Sequence, residues 1–162
     1  DEYSNGNGSL MRILPLAFTA AGPSDIEAVS SITHAHATSV EACLLYVAIA
    51  RRLLKGQQLP EILLGLETST TYARLQTLAD LTEDDIRSTG YVVDTLEAAL
   101  WCLLTSTSYP ETVLKAVNLG DDTDTVAAVA GGLAGIIYGL EGIPDNWLAQ
   151  LRNKELLESC LF

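Results

Sequence analysis

The chain has 162 residues, of which 48% are apolar and 6% aromatic, and it carries a formal net charge of −12. That length suits one domain or a large part of one, and so much apolar material excludes a disordered chain. The charge speaks against binding nucleic acid or an anionic membrane, because neither polyanion attracts a strongly acidic protein. It suits a protein that gathers cations, although plain colloidal solubility is the commoner reason for such a charge.

Helical spacing runs through nearly the whole chain. After a glycine-rich opening, residues 9–20 (SLMRILPLAFTA) form an apolar segment that Pro15 bends or restarts. Ser24 is positioned to cap SDIEAVSSI, with Glu27 completing a capping box. A long helix follows from Val40, closing with Arg51, Arg52, Lys55 and Gly56, a cation-then-glycine stop signal. Pro60 opens a helix to about Ser69, and residues 71–90 are more polar and looped around short turns. Helices are then predicted over 91–106, from Pro110 with its proline in the first turn, over 122–140, and from Pro144 to about Leu161. Only LLYVAIA and YVV could pass for strands, and both lie inside helical patterns. The fold class is therefore all-α with one core.

Cys43, Cys102 and Cys160 are far apart and in no CxxC spacing, so they read as buried thiols in a reducing compartment. With only His34 and His36 beside them, zinc is not indicated. The longest uncharged apolar run, 126–140, has fifteen residues, short of the roughly 20 needed to span a bilayer. No signal peptide is visible, and a cytoplasmic location is expected. The chain opens DEYSNGNGSL, without Met and already inside a dense motif, which reads like a portion of a longer protein.

Residues 118–139, NLGDDTDTVAAVAGGLAGIIYG, hold the densest chemistry. One aspartate at a helix start is favoured by free N–H groups and the macrodipole. Asp121, Asp122 and Asp124 together exceed that need, since packed like charges repel. Two readings stand: a solvated acidic cap, or a site for a hard cation in which Asp122, Asp124 and the Thr125 hydroxyl are ligands. Oxygen donors without Cys or His select Mg²⁺, Mn²⁺ or Ca²⁺, and no EF-hand loop is present. Ala127, Gly131, Gly135 and Gly139 recur every four residues. Such a stripe implies a centrally buried helix whose acidic mouth is held at the bottom of a cleft.

The opening loop SNGNGSLMR is the second constellation. Gly6 and Gly8 allow close approach of a ligand to backbone, and Asn5, Asn7 and Ser9 bring polar groups. The third glycine of a dinucleotide fingerprint and the GK[ST] of a P-loop are both missing. The loop is either a plain turn with Ser9 as N-cap, or a seat for ribose or phosphate at the helix start that follows. His34, in SITHAH, is either a structural cap or core histidine, or a ligand contact.

Taken together, GNGSLMR, the TH pair, GYVVDTLEAALWCLL and GDDTDTVAAVAGGLAGIIYG resemble the ADP-ribosylglycohydrolase family, such as dinitrogenase reductase-activating glycohydrolase, over essentially the whole chain. The resemblance implies a compact all-α orthogonal bundle and a magnesium-dependent hydrolase that cleaves ADP-ribose from a modified side chain or small molecule. It implies two Mg²⁺ ions, with Mn²⁺ admissible. Asp122, Asp124 and Thr125 match metal ligands. Gly6, Asn7, Gly8, Ser9 and Met11 match the pocket loop, His34 a position near the ligand, and Tyr91 the adenosine end. The family's N-terminal half, with its remaining metal ligands and a general acid or base, has no counterpart here. The chain is thus expected to be the C-terminal part of a single domain, residues 1–162, whose partners are an ADP-ribosylated substrate and that missing half. The catalytic residue stays unassigned. The alternative is a non-catalytic relative, crystallin-like or ADP-ribose-binding, on the same fold.

Overall fold

The computed structural model describes residues 5–160. Ser4 and Leu161, which bound two of the expected segments, lie outside them. The α-helices are α1 (Pro23–Ser31), α2 (Ala37–Leu54), α3 (Leu59–Leu64), α4 (Val92–Leu104), α5 (Tyr109–Asn118), α6 (Thr123–Tyr138), α7 (Asp145–Gln150) and α8 (Lys154–Cys160). Short 3₁₀ turns cover Leu10–Arg12, Leu14–Phe18, Thr70–Asp80, Glu83–Asp85 and Leu140–Gly142. Among the described residues there is no strand, only an isolated antiparallel bridge between Gly6 and Tyr91.

Helix α4 is the centre. Its sequence is apolar at every position but Asp94, Thr95 and Glu97, and only the interior of a bundle can bury such a helix. Helices α2, α5, α6 and the 70–80 turns pack around it, and Leu96, Ala98, Ala99, Leu100 and Cys102 are fully buried. Its one buried carboxylate, Glu97, is paired with Arg74 at 3.2 Å. Trp101 donates from Nε1 to the Leu81 carbonyl at 3.0 Å, so a long polar-rich connection is tied down by the core helix.

Local chemistry sets the ends of α2. His36 stands at its N-cap, and its Nδ1 accepts from the Thr38 amide at 3.3 Å. Gly56, at φ +78°, ends it in the left-handed conformation that glycine adopts without a Cβ penalty. Arg51 Nη2 donates to the carbonyls of Leu16, Thr19 and Ala21 at 3.0, 3.1 and 2.7 Å. These bonds tie the 3₁₀ segment that follows Pro15 to α2.

Several expectations are corrected. The cap of α1 is Gly22, not Ser24: the helix begins at Pro23, and Asp25 rather than Glu27 reaches back to the Gly22 amide at 2.7 Å. Helix α3 stops at Gly65, five residues after Pro60, because the chain beyond is captured elsewhere, with Ser69 N donating to Glu41 at 2.7 Å. The C-terminal segment is two short helices divided at Asn153, where φ is +55°, and none of their residues is buried. Cys43 and Cys102 are buried thiols, and burial pushes Cys102 up to about 12, but Cys160 is exposed.

The glycine stripe is also corrected. Helix α6 is buried along Thr125, Val126, Val129, Ala130, Leu133 and Ala134, and packs against α2, α4 and α5. The glycine that close packing requires is Gly132, where a Cβ would lie 2.6 Å from Leu14 Cδ2 and 3.0 Å from Tyr46 Oη. Gly131 meets Tyr109 and Val113 at ordinary distance, and Gly135 faces open space. Gly139 is the left-handed C-cap. Gly135→Ala is therefore expected to raise the unfolding free energy by up to about 1 kcal/mol through helix propensity. Gly132→Val is expected to lower it by about 1–3 kcal/mol through overpacking. Urea unfolding of the two variants checks this, and a destabilising Gly135→Ala would contradict the assignment.

Candidate functional site

Three segments distant in sequence meet at the N-terminal end of α6. The backbone of residues 88–92 joins them. The Asn7 amide donates to the Gly90 carbonyl at 3.2 Å and the Val92 amide to the Asn5 carbonyl at 2.9 Å, which fastens the glycine loop to the start of α4. On the other side, the Asp122 amide donates to the Ser88 carbonyl at 3.0 Å, and Ser88 Oγ donates to the Gly120 carbonyl at 3.0 Å. Gly120 and Asp121 both have positive φ, +95° and +52°, and this turn swings Asp122 inward while Asp121 stays exposed.

Asp122 stands at the N-cap of α6, yet its side chain makes no capping bond to the helix backbone. Instead Oδ2 accepts from Asn7 Nδ2 at 2.6 Å, and Oδ1 accepts from the Thr125 hydroxyl at 2.9 Å. Asn7 Nδ2 also donates to Thr95 Oγ1 at 2.9 Å, so both amide protons are used. Thr95 is fully buried, and its own hydroxyl donates to the Thr89 carbonyl at 3.0 Å, with the Tyr91 carbonyl at 3.2 Å. A simple acidic cap would turn its carboxylate to the free N–H groups of its own helix. The solvated-cap reading therefore fails for Asp122.

The remaining predicted residues divide. Asn7 is buried and serves the carboxylate, so its side-chain amide does not point to a separate ligand. Ser9 stands at the N-cap position of the Leu10–Arg12 turn but makes no side-chain cap bond; it is fully buried, and its hydroxyl accepts from Cys43 Sγ at 3.5 Å. The helix start expected to bind an anion is a three-residue 3₁₀ turn. Met11 is half exposed, on the outer side of the loop. His34 is not a helix cap: its ring lies over Gly6 and Gly8, where a Cβ would come within 3.2 Å of Nε2 and 2.8 Å of Cε1 respectively. Tyr91 and Gly6 line a depression of about 540 Å³ with Asn5, Arg87, Thr89, Gly90 and Asp94. In it Thr89 Oγ1 donates to Asp94 at 2.7 Å, and Arg87 lies 3.7 Å from the same oxygen.

The donors that converge here are oxygens, the kind that hard divalent cations take: Asp122 Oδ1 and Thr125 Oγ1 share a hydrogen bond of 2.9 Å. Asp124 is exposed at the same helix end. Among the described residues no three His, Cys, Asp or Glu side chains come close enough together to hold an ion by themselves. The site is oxygen-rich and incomplete. Thr95, Ser88 and Gly90 are the supporting residues that sequence reasoning missed. Gly90 alone carried a signal, a glycine directly before a helix start; a Cβ there would sit 3.4 Å from Asp122 Oδ2.

Removing the Asn7 amide leaves a half-buried carboxylate without its shortest donor. Asn7→Ala is expected to lower the unfolding free energy by about 1–3 kcal/mol. Denaturant unfolding measures it, and an unchanged midpoint would show that the bond contributes nothing.

Comparison with known proteins identifies the family. The family model described as ADP-ribosylglycohydrolase matches residues 1–161. The ADP-ribosylarginine hydrolase Tri1 of Pseudomonas putida (strain GB-1) is 38% identical over 160 residues, covering 93% of this chain and 43% of that protein. The ADP-ribosyl-[dinitrogen reductase] glycohydrolase of Rhodospirillum rubrum is 33% identical over 162 residues, covering 94% of this chain and 53% of that protein. A solved structure described as an ADP-ribosylglycohydrolase-related protein complex superposes with a TM-score of 0.83 at 32% identity, over 98% of this chain and 59% of that one. The chain spans about half the length of the curated relatives it matches. With a matching family model over nearly all its residues and the same fold, the chain belongs to the ADP-ribosylglycohydrolase family.

Proposed function

We propose that this chain supplies part of the site of a magnesium-dependent hydrolase that cleaves the glycosidic bond between ADP-ribose and a modified side chain or small molecule. The observation that carries the reading is the Asp122 carboxylate, turned away from its own helix and held by Asn7 and Thr125. The relatives support the bond class: one is named for ADP-ribosylarginine, the other for ADP-ribosylated dinitrogen reductase.

In this reading Asp122, Asp124 and Thr125 would be the residues that hold the metal, each offering an oxygen at the start of α6. Magnesium, or manganese, would stabilise charge developing on ribose oxygens and orient the attacking water. The chain's own part is to fix the oxygens beforehand, so that little reorganisation accompanies binding. Gly6, Gly8, His34 and Tyr91 would contact the ADP-ribose moiety. The other ligands and the general acid or base would come from polypeptide equivalent to the remaining half of the relatives. The substrate partner would be an ADP-ribosylated protein. Among the described residues no helix is long and apolar enough to cross a membrane, and the two buried cysteines are free. We place the protein in the cytoplasm.

The test is calorimetric titration of ADP-ribose into the chain with and without millimolar Mg²⁺, with hydrolysis of ADP-ribosylated arginine followed in parallel. Magnesium-dependent binding is expected, and a ligand at a hundred times its Kd would raise stability by about 2.7 kcal/mol. Asp122→Asn is expected to abolish the magnesium dependence while the chain stays folded. Binding that is indifferent to Mg²⁺ in both proteins would contradict the metal role.

A further inference from the structure

Asp122 does not offer its two oxygens equally. Oδ2 is enclosed: Asn7 Nδ2 donates to it at 2.6 Å, and residue 90 passes so close that a Cβ there would stand 3.4 Å away. Oδ1 is turned to the helix, where it accepts from the Thr125 hydroxyl at 2.9 Å, with exposed Asp124 on the same turn. A cation that comes to the start of α6 finds Oδ2 already holding a proton donor.

That donor is braced. Both protons of the Asn7 amide are used, the second on Thr95 Oγ1 at 2.9 Å, and Thr95 is fully buried on α4. The Asn7 backbone is held on both sides, its N–H donating to the Gly90 carbonyl at 3.2 Å and its carbonyl accepting from the Met11 amide at 3.1 Å. Turning the amide away from Asp122 would break the Thr95 bond as well. The ions that oxygen donors attract differ in how they take a carboxylate. Magnesium and manganese suit a shell of about six oxygens with one from each carboxylate, whereas calcium takes about six to eight and readily accepts both oxygens of one carboxylate.

We propose that Asn7, braced by Thr95, is a positioning residue that holds Asp122 to ligation through Oδ1 alone, and so biases the site toward magnesium or manganese and against calcium. That a cation binds here rests on the function proposed above; the asymmetry of the carboxylate does not. A carboxylate free to turn offers calcium a second oxygen, and here that oxygen must first give up the amide.

The experiment is metal titration of the chain, with free Mn²⁺ followed by electron paramagnetic resonance and Mg²⁺ and Ca²⁺ added as competitors. Asn7→Ala is expected to weaken Mn²⁺ and Mg²⁺ by roughly tenfold, the lower end of what losing an outer partner of a metal ligand costs, and to leave Ca²⁺ as tight or tighter, because that ion regains Oδ2. Thr95→Val, which keeps the shape and removes the acceptor, is expected to move the ratio of calcium to magnesium affinity in the same direction, and Thr95→Ser to restore it. A role in folding alone would weaken all three ions together, and that result, or an unchanged ratio, overturns the proposal. The unmodified chain supplies a second readout: its Mg²⁺ difference infrared spectrum, with Asp122→Asn as the blank, is expected to show the wide carboxylate splitting of one-oxygen ligation. The narrow splitting of two-oxygen ligation overturns the proposal whatever the variants do. An unmodified chain that binds no Mn²⁺ would overturn the metal reading itself, and the proposal with it.

Discussion

The bond from Asn7 to Asp122, 2.6 Å long and spanning 115 residues of sequence, is the constraint around which the site is arranged. It takes a carboxylate that would otherwise cap α6 and holds it toward the opening loop. The bond in turn requires the loop to be fixed, and residues 88–92 do that through backbone alone, by hydrogen bonds to Asn5 and Asn7 on one side and to Asp122 on the other. Backbone bonds of this kind are insensitive to side-chain identity, which leaves the side chains free to build the site.

The rigidity comes from beneath. Helix α4 begins where that backbone segment ends, and it is buried along nearly its whole length. Thr95, on its first turn, anchors Asn7 from the interior side, so the loop is referenced to the most deeply packed element of the fold. Close packing transmits small displacements, because an interior at crystal-like density has little room to absorb them. By contrast α7 and α8 have no fully buried residue, and α7 rests on the bundle through Trp147, edge-on to Tyr109.

Much of the fold was legible in the sequence because helical periodicity, proline in first turns and glycine stops are local signals. The errors were also local in origin. Ser24 and Glu27 form a capping pattern, but a start two residues earlier wins, with the Gly22 amide donating to Asp25, because Pro23 is pre-organised for the first helical position. The stripe of every-fourth glycines suggested a buried face, whereas packing uses Gly132, one position off it. Spacing reveals periodicity and cannot say which neighbour occupies the gap. In the site, Asp122 and Thr125 could be read together because they share one helix turn. Thr95 and Ser88 could not, since each acts across a long sequence separation through an ordinary hydroxyl.

The most direct measurement is anomalous diffraction from crystals of this chain soaked with Mn²⁺ and ADP-ribose. If Asp122 is held for a cation, a manganese peak is expected bonded to Asp122 Oδ1 and Thr125 Oγ1, with the Asn7 bond to Oδ2 retained. A site without manganese at saturating concentration, with Asp122 still closed onto Thr125, would contradict it.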